Sequence, residues 1–121
     1  MQTVMIVNSD LGFVFWLGAL LDNAGYRAIP ARRVRDAVLL LERFSLEPDL
    51  LIVDPSLPGA DLLVEHYRRA NVRVIALPRE IAPRDERSSL EWLDLVATLF
   101  ESPQMGQAAW YSRFVFLVPC A

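Results

Sequence analysis

The sequence predicts an α/β protein whose parallel sheet is doubly wound, with helices packed on both faces. Short apolar runs rich in β-branched residues alternate with helical segments of ten or more residues, the pattern of repeated βαβ units. The runs are continuously apolar, which is typical of strands buried on both faces. Right-handed crossovers between parallel strands then place helices on both sides of the sheet.

About five strands are predicted, each from an apolar or aromatic run. The clearest are residues 4–7, Val-Met-Ile-Val, and residues 50–53, Leu-Leu-Ile-Val. Residues 26–29 form a weaker second strand and residues 72–77 a fourth. Residues 110–118 are apolar and aromatic enough to form the last strand.

Helices are predicted between these strands, at residues 11–24, 35–44, 60–70 and 88–101. The first follows Asn8, Ser9 and Asp10, which all favour the N-cap position, and it ends at Gly25, the usual helix stop. Each of the others carries apolar residues at helical spacing, so each has one face suited to packing on the sheet.

Composition places the chain among soluble globular domains of one unit, residues 1–121. It has 54% hydrophobic and 22% charged residues, which excludes disorder. The net charge of −3 gives no basic footprint for nucleic acid, and the longest apolar stretch, 12–21, is about half a membrane span. The one cysteine, Cys120, fits the reducing cytoplasm. All 12 basic residues are arginine, so lysine chemistry is excluded.

Polar residues follow the predicted strands where a ligand site is expected. In open α/β sheets, sites form beyond the carboxyl ends of the strands. Asn8, Ser9 and Asp10 follow the first strand, Asp54 the third and Pro78 the fourth. Asp54 either performs metal or covalent chemistry or caps the turn that begins at the next residue.

The segment around Asp54 resembles the phosphoacceptor segment of bacterial response-regulator receiver domains. Residues 48–54 read Pro-Asp-Leu-Leu-Ile-Val-Asp and are followed by Leu57-Pro58-Gly59 and Asp61. Gly25-Tyr26 matches the end of the family's first helix. The resemblance covers residues 3–77, and residues 78–121 diverge from the family. It implies a flavodoxin-like fold of the receiver type.

The resemblance assigns a role to each strand end. Asp54 matches the aspartate that takes a phosphoryl group from a histidine kinase. The acidic pair that holds Mg²⁺ is replaced by neutral Asn8 and Ser9, which leaves Asp54 and the displaced Asp10 as acidic metal ligands. Pro78 stands at the switch threonine or serine, and Val118 at the lysine. Mg²⁺ binding usually needs one or two carboxylates, so this pocket is depleted.

The resemblance therefore implies a degenerate receiver in two-component signalling. We expect it to act through protein–protein interaction, with a histidine kinase, another signalling protein or a second copy as partner. The sequence carries no output domain and no Gly-rich phosphate loop, nucleophile elbow or His/Cys metal spacing, so no enzyme activity is expected. The alternative is a small flavodoxin-like domain that binds a nucleotide or metabolite in the same crevice.

An interaction surface is expected on aromatic residues of the first and last predicted helices. Residues 11–24 are apolar almost all round, and a helix of that kind is usually covered on every side. Phe13 and Trp16, with Trp92, are the predicted partner-binding residues, since exposed aromatic patches mark interaction sites. The alternative is that residues 110–118 cover the helix.

Overall fold

The chain divides into two compact units, residues 1–79 and residues 80–121. The computed structural model describes residues 1–78 of the first unit and residues 88–101 of the second. The predicted fifth strand, residues 110–118, lies outside the described residues.

The first unit contains a sheet of four strands. They are β1 (Thr3–Val7), β2 (Arg27–Ala31), β3 (Leu50–Val53) and β4 (Arg73–Ala76). All neighbouring strands pair in parallel, in the order β2-β1-β3-β4. The predicted parallel α/β architecture is confirmed, and the strand order is compatible with a flavodoxin-like fold.

Helices follow the strands as the sequence predicts. The first unit contains α1 (Leu11–Asn23), α2 (Val34–Arg43) and α3 (Ala60–Arg69), and the second contains α4 (Ser89–Glu101). All eight described elements begin and end within two residues of the predicted positions. The helices of the described ranges fall short of the length and apolarity that crossing a bilayer requires.

The sheet of the first unit carries helices on both faces. The face formed by Met5, Val7, Leu51 and Val53 shares one apolar cluster with α2 and α3. The opposite face meets α1, where a Cβ added at Gly18 would lie 3.9 Å from the Cβ of Ala28. Because side chains alternate along a strand, these two contacts place α1 opposite α2 and α3, which makes the sheet doubly wound.

The three helices of the first unit end in the same way. After α1, Gly25 N–H donates to the Asp22 carbonyl at 3.1 Å and Tyr26 N–H to the Leu21 carbonyl at 3.0 Å. The same pair of bonds follows α2 and α3, with Ser45 and Asn71 in the place of Gly25. These bonds form the Schellman motif, which needs a left-handed residue. The φ angles are +95° at Gly25, +50° at Ser45 and +61° at Asn71.

Strand β2 lies at an edge of the sheet and carries a proline. Pro30 pairs with Ile6 of β1, and an edge position tolerates proline because a nitrogen that faces away from the sheet has no ladder bond to make. Ala28 N–H donates to the Asp22 carboxylate at 3.0 Å. This bond joins the last turn of α1 to the strand that follows it.

The left-handed residue after α2 gives a stability test. Replacing Ser45 with glycine removes the steric cost of a left-handed L-residue, and we expect the free energy of unfolding to rise by roughly 0.5–1 kcal/mol. The reverse change at the matching position, Gly25→Ser, is expected to lower it by about 1 kcal/mol. Urea unfolding of both variants measures the effects. Equal signs for the two changes would contradict the shared motif.

Candidate functional site

Asp54 lies at the carboxyl end of the central strand β3. The residue is only 2% exposed, and its N–H donates to the Val7 carbonyl at 3.0 Å, which continues the pairing of β1 with β3 by one step. Its Oδ1 accepts from Ser56 N–H at 2.9 Å and from Ser56 Oγ at 2.7 Å. No described residue donates a hydrogen bond to the other carboxylate oxygen, Oδ2. Asp54 is thus a buried carboxylate with one oxygen engaged.

Asn8 occupies the equivalent end of β1, the strand beside β3. It is 3% exposed, and its N–H donates to the Ala31 carbonyl of β2 at 3.0 Å. Its side-chain Oδ1 accepts from Asp10 N–H at 2.9 Å, which closes the turn into α1. Asn8 and Asp54 therefore extend two adjacent strands at the same edge of the sheet.

Asp10 is the N-cap of α1. Its Oδ1 accepts from Phe13 N–H at 3.2 Å, so this carboxylate satisfies a backbone donor of the first helical turn. Ser9, between the two turn-forming residues, is exposed. The loop after β1 thus contributes one buried amide and one partly buried carboxylate.

Pro78 comes two residues after β4. The preceding residue, Leu77, donates its N–H to the Val53 carbonyl at 2.9 Å, so the chain at Pro78 still runs beside the end of β3. Pro78 is half-buried and has neither a hydroxyl nor an N–H to donate. Val118, which the resemblance matches to the lysine, lies outside the described residues.

The position of Asn8 and Asp54 is the switch point of the sheet. The helix after β1 lies on one face and the helix after β3 on the other, so the two connecting loops diverge and leave a crevice between them. The structure brings Asn8, Asp54 and Pro78 to the ends of three successive strands, as the sequence predicts. Within residues 1–78 and 88–101, no group of three or more His, Cys, Asp or Glu side chains is placed to share a metal ion.

Ser56 is a site residue that the sequence reasoning missed. It supplies both hydrogen bonds that the Asp54 carboxylate receives from the described residues. The spacing was readable, because Asp followed two residues later by a small polar residue is a common turn pattern in which the carboxylate accepts a backbone N–H. Here the serine hydroxyl adds a second donor to the same oxygen.

The predicted partner-binding aromatics are mostly inside the protein. Phe13 is 2% exposed and Trp92 is fully buried, while Trp16 is half-buried. Phe13 lies on the inward side of α1, with its ring centroid 6.5 Å from that of Trp16. The exposed aromatic of this helix is Phe15, at 63%. Because α1 is apolar almost all round, its sequence does not indicate which aromatic side chain faces outward.

Comparisons with known proteins bear on the fold alone. No family model matches the sequence, and no curated protein matches it. A solved fusion protein, which joins a yeast trimeric coiled coil (amino acids 181–211) to another structure, aligns with a TM-score of 0.52 and 18% identity. The alignment covers 78% of this chain and 63% of that chain. So short a coiled-coil segment cannot span most of this chain, and the likeness lies largely in the fused portion.

The Ser56 hydroxyl gives a measurable contribution to stability. Ser56→Ala removes one bond to the buried carboxylate and keeps the backbone bond, so we expect unfolding free energy to fall by about 1 kcal/mol. Ser9→Ala, at an exposed serine of the same edge, is the control and should change it by less than about 0.5 kcal/mol. In an Asp54→Ala background the Ser56 effect should vanish. A full effect in that background would show that the hydroxyl acts elsewhere.

Proposed function

We propose that this chain is a receiver-like signalling module with a flavodoxin-like fold, in which the phosphoacceptor position is kept and phosphoryl chemistry is lost. The observation that carries the proposal is the buried Asp54 at the end of the central strand, beside Asn8 at the switch point. A carboxylate in this place suits a phosphoacceptor. The described residues that bond its carboxylate supply no positive charge, since both donors belong to Ser56.

The donor set around Asp54 fits Mg²⁺ poorly. Asn8 and Ser9 are neutral, and Asp10 uses one carboxylate oxygen to cap α1. One oxygen of Asp54 is engaged by Ser56. Mg²⁺ demands near-octahedral oxygen ligands and is usually held by one or two carboxylates. Asp54 would have to serve as the main protein carboxylate for the ion and as the nucleophile at once.

The positions that the resemblance matches to the phosphoryl-contacting residues, Pro78 and Val118, carry neither a hydroxyl nor a cationic group. Pro78 cannot donate a hydrogen bond at the end of β4, and the sequence has no lysine. Phosphoryl transfer depends on such fixed positive charges and donors for its stabilisation. Signalling by this module therefore rests on protein–protein interaction in the cytoplasm, with a histidine kinase, another signalling protein or a second copy as partner.

The outward side of α1 is the partner surface in this proposal. Phe15 is 63% exposed and Leu11 is 39% exposed on that helix. Exposed apolar groups of this kind are favoured at interaction sites when they cluster. Phe13 is excluded from direct contact because it is buried in the described chain.

The loss of phosphoryl chemistry is tested with acetyl phosphate. We expect the intact mass of the full chain to stay unchanged after incubation with acetyl phosphate and Mg²⁺. A stoichiometric gain of about 80 Da, one phosphoryl group, that disappears in Asp54→Asn would overturn this part of the proposal. Stabilisation of the chain by a nucleotide, with none by Mg²⁺ plus beryllofluoride, would favour the alternative of nucleotide binding in the same crevice.

Restoring one carboxylate tests why the pocket is inactive. In Asn8→Asp the new side chain still accepts from Asp10 N–H, and it sets a second carboxylate at the strand end adjacent to Asp54. We expect Mg²⁺ at millimolar concentration to raise the melting temperature of Asn8→Asp and to leave the wild type unchanged. Ser9→Asp is the matched control at an exposed position. A Mg²⁺ response of the wild type equal to that of Asn8→Asp would contradict the depleted-pocket explanation.

A further inference from the structure

A groove of about 430 Å³ lies between α2 and α3, and Asp54 is not among the described residues that line it. Its walls are the apolar side chains Val34, Val38 and Leu41 of α2 and Leu62 and Leu63 of α3. The volume is within the 300–1,000 Å³ of small-molecule sites, which are mostly apolar with a few placed polar groups. The polar groups of this groove are Glu42, His66 and Tyr67.

Tyr67 contributes a hydroxyl group to the lining of this groove. The residue is 9% exposed and its ring belongs to the apolar cluster under α2 and α3. Its hydroxyl makes no hydrogen bond with any described residue, yet no buried side-chain oxygen of the described residues lacks a partner. The hydroxyl therefore reaches an opening, and Tyr67 lines this groove. Burial raises the pKa of Tyr67, which keeps the hydroxyl protonated and able to donate or accept.

Glu42 gives the groove its charge. Two other acidic residues of α2 and α3 are neutralised by ion pairs: Asp36 pairs with Arg33, and Glu65 pairs with Arg69. Within residues 1–78 and 88–101, Glu42 has no such pair and no arginine lines the groove. The fixed charge that these residues give the groove is therefore negative, which attracts a cation and disfavours an anion.

His66 and Tyr67 form the aromatic part of the lining. Their rings meet edge-on, with centroids 4.9 Å apart and an interplanar angle of 84°. The groove spans only two turns of each helix, whereas a stable protein interface engages roughly 20–30 residues a side. Its dimensions suit a small molecule.

We propose that the groove between α2 and α3 binds a small organic amine, a protonated amine on an apolar aromatic or alkyl body. The ammonium group lies against Glu42 and the Tyr67 hydroxyl, and the apolar body lies against Val38 and Leu62. This site is separate from the Asp54 crevice. The proposal of amine binding therefore does not depend on the signalling role proposed above.

The test uses phenethylamine as the probe, with two matched compounds of opposite and zero charge. Hydrocinnamate is an anion of similar length, and phenethyl alcohol is its neutral counterpart. In amide NMR titrations of the full chain we expect saturable shifts at α2 and α3 with phenethylamine, with a dissociation constant on the order of 1 mM for so small a ligand. Hydrocinnamate should give none, and phenethyl alcohol weaker binding.

Two variants locate the polar contacts. Glu42→Gln should weaken phenethylamine binding by about two- to fivefold, and Tyr67→Phe by about three- to tenfold. Glu47→Gln, at an exposed carboxylate outside the groove, and Asp54→Asn should leave it unchanged. Dispersed amide spectra confirm that each variant is folded. The proposal is overturned if phenethylamine shifts no groove resonances, if hydrocinnamate binds equally, or if affinity is unchanged in either groove variant.

Discussion

The parallel pairing of β1 with β3 is the interaction on which the rest of the first unit depends. Met5 and Val7 on one strand and Leu51 and Val53 on the other are at most 1% exposed. Burying these side chains fixes the register, because a slip by one residue would turn each side chain to the opposite face. The hydrogen bond from Asp54 N–H to the Val7 carbonyl is the next step of that ladder. The position of the site is therefore set by the packing of the core.

The site shows how a buried carboxylate is held by hydrogen bonds from its own turn. The Ser56 hydroxyl and N–H give Oδ1 of Asp54 two donors, and hydrogen bonds to a charged acceptor are stronger than neutral ones. Both donors go to the same oxygen, so one residue of the turn satisfies half of the carboxylate. The local sequence thus stabilises a buried carboxylate at the carboxyl end of the central strand.

The parts of the fold that sequence predicts well are those governed by local pattern. Strand β3 is predicted at its observed bounds because a run of four apolar residues between Asp49 and Asp54 has the length of a strand and is too short for a helix. Strand β2 is predicted less closely, since an edge strand with the exposed Arg27 and Pro30 lacks that run. The sequence does not show which face of α1 is buried, because nearly every position of the helix is apolar. Phe13 and Phe15 are distinguished only by the packing of the helix on the sheet.

The edge formed by β2 has a consequence for how this protein meets other chains. The backbone N–H groups of Arg27, Ile29 and Ala31 face β1, so the outward nitrogens of the strand are those of Ala28 and Pro30. The first is already bonded to Asp22, and the second has no hydrogen. An incoming strand finds no free donor there, which protects this edge against sheet extension and edge-to-edge aggregation.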